Sequence, residues 1–214
     1  MSDSKIKAVF FDLDGTLIDS MPAHVKAWQT ILRDVGIEMD ELFIKMAEGE
    51  KADDTLKRLR QDFGLKATDE DLQQLLARKR TLYWTLAPRG MIPEARELVL
   101  ELCARGVQCD IVTGSVRSNM DGVVPEEDVA RFTHIVTPGE YTHGKPDPDP
   151  YLTALRRSGF AAEECMVLEN APLGIRSARA AGLLTLAITT TLLADYLTEA
   201  NVVISSYHEL LTYV

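Results

Sequence analysis

Two carboxylates stand at the end of an apolar run: Asp12 and Asp14 close the stretch Ile6 to Phe11 and are followed by a Gly-Thr turn. The run reads as a buried strand. Side chains two apart on a strand share a face, so both acids are expected to project from the strand's carboxyl end, where open α/β sheets place their ligands. Close carboxylates raise each other's pKa unless a cation lies between them or one of them holds a proton. The pair suits a metal-bound nucleophile and a proton-transfer group. Aspartates that cap the following turn are the simpler alternative.

Three more stretches carry chemistry. Ile111 to Ser115, IVTGS, ends a strand with the hydroxyl of Thr113 and the free backbone N–H groups of Gly114 and Ser115, a cradle that suits a phosphate. His143 to Tyr151, HGKPDPDPY, holds Lys145 on a backbone stiffened by three alternating prolines, so its ammonium can offset charge on a nucleophile and on a phosphate. Val167 to Ile175, VLENAPLGI, ends a strand with Glu169 and Asn170, hard oxygen donors of the kind that magnesium selects; helix capping by Asn170 is the alternative.

The elements that must position these residues alternate. After Thr16 the pattern turns helical: Ala23 to Val35, Leu42 to Ala47, Asp53 to Phe63 and Asp69 to Trp84 read as helices with no strand between them. Residues 19–86 are therefore expected to form an all-helical insert. From Ile92 onward helices (Pro93 to Arg105, Glu126 to Phe132, Pro148 to Ser158, Pro172 to Ala181, Tyr207 to Tyr213) alternate with strands (Val107 to Thr113, Ile135-Val136, Cys165 to Leu168, Leu184 to Ile188, Val202 to Ile204). That alternation implies right-handed crossovers and a parallel sheet. The expected fold is α/β, a Rossmann-like core of residues 1–18 and 87–214 interrupted by the helical domain.

Composition bounds the partners. The chain has 214 residues, 46% hydrophobic and 26% charged, with a net charge of -10. These are the proportions of an ordinary globular protein. The acidic balance disfavours nucleic acid and anionic membrane, and requires any phosphate site to be locally cationic. Cys103, Cys109 and Cys165 are odd in number and lack metal-ligand spacing, so they read as reduced core residues. The amino terminus shows no long apolar signal segment and no stretch approaches a membrane span, which gives a cytoplasmic expectation. A monomer is expected.

The stretch VFFDLDGTLIDS, with TGS, Lys145 and Glu169-Asn170 following in order, resembles the motifs of the haloacid dehalogenase superfamily over nearly the whole chain. The resemblance implies that Asp12 is the nucleophile, Asp14 the acid and base, Thr113 and Lys145 the holders of the phosphoryl oxygens, and magnesium the cofactor. Asp12, the Asp14 carbonyl, Asn170 and Glu169 would bind the metal directly or through water. An insert of this size after the first motif resembles the cap of the β-phosphoglucomutase-like branch, which implies substrate contacts from His24, Lys51 and Lys79. The pairing of Glu48-Gly49 with Glu169-Asn170 resembles a smaller group that includes inorganic pyrophosphatases, in which the cap glutamate reaches the metal; Glu48 would take that place. The implied function is hydrolysis of pyrophosphate or a compact phosphate monoester. The alternative is a sugar-phosphate mutase, disfavoured because Ala52 stands where such mutases carry an arginine and Lys51 cannot grip an anion bidentately. A silent partner-binding module is a third possibility, opposed by the intact aspartate pair.

Overall fold

The computed structural model describes residues 6–214; residues 1–5 of the expected core, and the Ala52 side chain that bears on the mutase alternative, lie outside the described part. Six parallel strands form one sheet: β1 (Ala8–Phe11), β2 (Gln108–Val112), β3 (His134–Val136), β4 (Cys165–Glu169), β5 (Leu184–Ile188) and β6 (Val202–Ile204), in the order β3-β2-β1-β4-β5-β6. The order reverses between β1 and β4, and the crevice beyond that reversal is where doubly wound sheets bind ligands.

The pleat of β1 explains its uninterrupted apolar sequence. Val9 and Phe11 enter one core with Leu98, Val99 and Leu102, while Ala8 and Phe10 enter the other with Tyr151 and Val167. Helices α5 (Pro93–Ala104), α7 (Asp149–Ser158) and α8 (Pro172–Ala180) cover the faces, and the short α6 (Glu126–Val129) precedes β3. Full burial of each phenylalanine contributes about 1.5–3 kcal/mol, so β1 is held from both sides.

Four helices intervene between β1 and α5: α1 (Met21–Arg33), α2 (Glu41–Met46), α3 (Ala52–Asp62) and α4 (Asp69–Leu86). They pack around their own apolar cluster, with Trp28, Ile31, Leu56, Leu59, Leu72 and Leu76 at its centre. Local chemistry starts and stops them. Pro22 lies in the first turn of α1, and Thr68 with Asp71 closes a capping box at the start of α4.

Two expected helices differ. Glu126 to Phe132 ends at Val129, because Phe132 turns inward to meet Phe11 edge-on at 6.3 Å between ring centroids. Tyr207 to Tyr213 is 3₁₀ rather than α, since its buried residues Tyr207 and Leu210 are three apart, the period of that helix. The Tyr207 hydroxyl donates to the Thr16 carbonyl at 2.6 Å, tying the end of the chain to the first turn. The peptide bond between Lys145 and Pro146 is cis.

Candidate active site

The carboxyl ends of β1, β2 and β4 bring the expected residues to one edge. Asp12 continues the ladder beyond β1, its N–H donating to Leu168 O at 3.0 Å. Lys145 Nζ reaches Asp12 Oδ1 and Glu169 Oε1, each at 2.6 Å, and also donates to Val112 O at 3.1 Å. The ammonium is thus bound to three strands at once. Tyr151, from α7, donates its hydroxyl to the same Glu169 Oε1 at 2.7 Å, and the backbone N–H of Asn170 donates to Oε2 at 3.1 Å. Glu169 is therefore turned toward Lys145 rather than toward an open position. Gly174, in the first turn of α8, makes room for it: a Cβ there would collide with the carboxylate.

Asp12 and Asp14 share an edge but not surroundings. Burial and the neighbouring Glu169 and Asp14 carboxylates push Asp12 up to about 8 against the pull of Lys145. Asp12 Oδ2 is buried with no hydrogen-bond partner. Asp14 lies beyond the strand, in a bridge to Ile18. It accepts from Ser20 Oγ at 2.6 Å, Ser115 Oγ at 2.6 Å and His24 Nε2 at 3.0 Å. Burial alone would raise its pKa; the His24 ring and the two hydroxyls outweigh it and hold Asp14 well below the usual carboxylate range.

The His24 hydrogen bonds continue into the helical insert. Its Nδ1 faces Lys79 Nζ at 2.7 Å, and the ring stacks on Tyr83 with centroids 4.3 Å apart. Burial, then the Lys79 charge, lowers the His24 pKa, so the ring is neutral, donating through Nε2 and accepting at Nδ1. Lys79, buried in α4 near Trp28, is brought down to about 8 by the same loss of water. Glu48 faces this cluster. Burial and the nearby Asp14 and Asp12 carboxylates hold its pKa well above the ordinary value.

Two expected residues point elsewhere. Lys51 donates to the Thr142 carbonyl at 2.8 Å and lies over the Tyr141 ring at 4.6 Å, so its ammonium binds the core rather than the cavity. The Asn170 amide is already paired: Oδ1 accepts from Thr16 at 3.1 Å, and Nδ2 donates to the Asp14 carbonyl at 3.1 Å and to Thr191 at 2.7 Å. Thr113 is buried, its Oγ1 accepting from the Ser115 N–H at 2.9 Å, and its carbonyl is held by the Tyr141 hydroxyl at 3.0 Å. Ser20, Tyr141 and Tyr151 escaped the reading of the sequence. Tyr151 closes the HGKPDPDPY stretch, whose proline spacing was its only local signal.

Insert and core meet without a gap. A Cβ on Gly114 would lie 2.5 Å from the Gly49 carbonyl oxygen, and one on Gly49 would lie 2.9 Å from Lys145 Cδ. Above this seam a cavity of about 140 Å³ opens into the insert, with His24, Glu48, Lys79 and Ser115 on the side of the aspartates and Trp28 and Phe43 further in.

A family model for haloacid dehalogenase-like hydrolases matches residues 6–182. The chain belongs to that family. It is 30% identical over 218 residues to hexitol phosphatase A of Escherichia coli, covering 96% of this chain and 94% of the relative. It is 28% identical to β-phosphoglucomutase of Bacillus subtilis, covering 83% and 81%. A solved structure of a putative β-phosphoglucomutase from Bacteroides vulgatus superimposes with a TM-score of 0.83 at 32% identity, covering 98% of this chain and 87% of the other. These likenesses put this family member in the β-phosphoglucomutase-like branch, among phosphatases. None of these three is named as a pyrophosphatase.

Proposed function

We propose that this protein is a magnesium-dependent phosphohydrolase that acts on small phosphorylated compounds through a phosphoaspartyl intermediate on Asp12, with residues 19–86 as a cap over residues 1–18 and 87–214. The single observation that carries this reading is the asymmetry of Asp12: Oδ1 is locked to Lys145, while Oδ2 is buried and unpartnered.

Asp12 Oδ2 attacks phosphorus in line as the bond to the leaving oxygen breaks, and Asp14 gives that oxygen a proton. Asp14 then takes a proton from the water that attacks the phosphoaspartate, which frees phosphate and restores the Asp12 carboxylate. Asp14 is ionised before substrate binds, which suits the second half. The charge of a bound phosphate beside it raises its proton affinity for the first. Lys145 and the Thr113–Ser115 turn hold the phosphoryl oxygens.

The residues fit a divalent cation. Asp12 Oδ2 lacks a partner, the Asp12 and Glu169 carboxylates share the one ammonium of Lys145, and Glu48 faces the same space. Asp12, the Asp14 carbonyl and Glu48 would hold magnesium, with Asn170 and Glu169 steadying them from behind; when bound it neutralises charge on phosphorus. Among the described residues no three His, Cys, Asp or Glu side chains form a ready metal cluster.

Glu48 over the aspartates favours a compact substrate, pyrophosphate or a small phosphate monoester. The test is phosphate release with and without magnesium from p-nitrophenyl phosphate, small sugar phosphates, phosphoglycolate and pyrophosphate, with hydroxylamine trapping of the intermediate. Release that requires magnesium and Asp12, with a label trapped at Asp12, supports the reading. Absence of any release refutes it. Stimulation by a sugar bisphosphate with slow hydrolysis supports a mutase instead.

A further inference from the structure

One long side chain of the insert is spent on the core. Lys51 ends the loop 47–51 that joins α2 to α3, and both of its ends are tied. Its carbonyl accepts from the N–H groups of Asp54 at 2.9 Å and Thr55 at 3.0 Å, in the first turn of α3, while its ammonium donates to the Thr142 carbonyl at 2.8 Å. Among the described residues this is the one side-chain hydrogen bond that joins residues 34–86 to residues 87–214. The stem lies along Gly144, where a Cβ would meet Lys51 Cγ, Cε and Cδ at 2.9, 3.2 and 3.3 Å. Gly144 has no positive φ, so its own backbone does not call for glycine. What the missing Cβ provides is a track for the lysine.

The carbonyl that Lys51 grips belongs to a segment fixed to the catalytic groups. Tyr141 donates its hydroxyl to the Thr113 carbonyl at 3.0 Å, Asp149 accepts from the N–H groups of Thr142 and His143 at 2.6 and 3.2 Å, and Lys145 reaches Asp12 and Glu169. On the other side of the seam the loop carries Glu48, and Gly49 rests against Lys145 and Gly114. The partners of the Lys51 ammonium are a carbonyl and the face of the Tyr141 ring rather than a carboxylate. Contacts of that kind are modest enough to be broken and remade in every turnover.

We infer that Lys51 is a positioning residue: its grip on the Thr142 carbonyl latches the loop 47–51 onto the core and thereby sets Glu48 over the aspartates, with no contact to substrate. The inference rests on the phosphohydrolase reading above, with the insert as its cap, and goes beyond it by assigning the latch to one side chain and its track to Gly144.

The experiment measures kcat, KM and the magnesium concentration for half-maximal rate with p-nitrophenyl phosphate, pyrophosphate and phosphoglycolate. The variants are Lys51→Met, Lys51→Arg, Gly144→Ala and the double variant Lys51→Met with Gly144→Ala. Lys51→Met keeps the stem and removes the donor. It should lower kcat/KM by roughly tenfold, as a misplaced site does, by the same factor for every one of these compounds that the unaltered enzyme hydrolyses. The magnesium requirement should rise with it, and the melting temperature should stay within a few degrees. Lys51→Arg, which keeps a donor, should recover most of the loss. Gly144→Ala should reproduce the loss by displacing the stem, and the double variant should be no worse than the poorer single one, because both changes remove the same contact. Unchanged kinetics and magnesium requirement in Lys51→Met, or losses that multiply in the double variant, overturn the inference and leave the phosphohydrolase reading intact. A loss confined to pyrophosphate and phosphoglycolate, which carry a second anionic group, also overturns it by returning Lys51 to the substrate. Absence of hydrolysis in the unaltered enzyme overturns both.

Discussion

The Gly49 carbonyl sits directly on Gly114, so close that a Cβ at position 114 would meet backbone atoms at 2.5 and 3.0 Å. Backbone on both sides cannot yield as a flexible side chain would. Gly114 has no positive φ, so alanine suits its own conformation and only the seam between insert and core suffers. Gly114→Ala should therefore lower kcat/KM by roughly tenfold or more, as a misplaced site does, while the melting temperature stays within a few degrees. A variant with unaltered kinetics would show that the seam does not close during turnover.

On the proposed reading, magnesium and protons would compete for Asp12. Its folded pKa of about 8 lies above the ordinary value of 3.8, so the metal-free folded chain holds a proton that the unfolded chain releases. Between those values the metal-free protein loses stability from this group as pH rises, and Glu48 acts in the same direction. A cation that displaces those protons binds more tightly as pH rises. The increase in melting temperature on adding magnesium should grow from pH 6 to pH 8, and chelation should abolish turnover. A constant increase would contradict the assignment.

Lys79 carries its charge at a cost. Its folded pKa of about 8 lies below the unfolded 10.5, so the unfolded state binds more protons between those values and stability rises with pH across that window. At pH 7 the cost is on the order of 3 kcal/mol. Lys79→Met should melt higher than the parent at pH 7, with the gap narrowing toward pH 10, and should turn over more slowly because His24 loses its donor. Equal melting at both pH values would refute this.

Glu48 adds a carboxylate beside two others. Glu48→Ala should stabilise the magnesium-free protein, reduce kcat by roughly tenfold and raise the magnesium concentration needed for half-maximal rate. Steady-state rates against magnesium, with melting in chelator, check all three, and an unchanged rate would remove Glu48 from the site.

If Asp12 is the nucleophile proposed above, its chemistry tolerates no amide. Asp12→Asn should reduce turnover by about a thousandfold or more yet keep or raise the melting temperature, since one of three crowded carboxylates is gone. Trapped label persisting in that variant would assign the nucleophile elsewhere.

Much of this was readable in advance, for physical reasons. The apolar run before Asp12 and the strand ends at Thr113 and Glu169 mark the sheet edge, because a parallel sheet buried on both faces leaves acids nowhere else to go. The helical insert was legible from periodicity and caps. What escaped was tertiary. The period-two rule set Asp12 and Asp14 side by side, but the bridge to Ile18 turns Asp14 toward Ser20 and His24. The proline spacing around Lys145 did not say that Tyr151 would hold Glu169, nor that Lys51 would reach across to Thr142. Such partners lie 18 and 91 residues apart, and no local pattern carries that distance.

Of the three donors to Asp14, Ser20 caps α1 and His24 lies within it, while only Ser115 belongs to the sheet edge. Asp14 thus draws most of its tuning from the insert. With the insert swung away, Asp14 would keep one donor and titrate more like a free carboxylate. On the proposed reading, the proton-transfer step would be armed by closure of the insert, a safety catch against spending the phosphoaspartate on stray solvent.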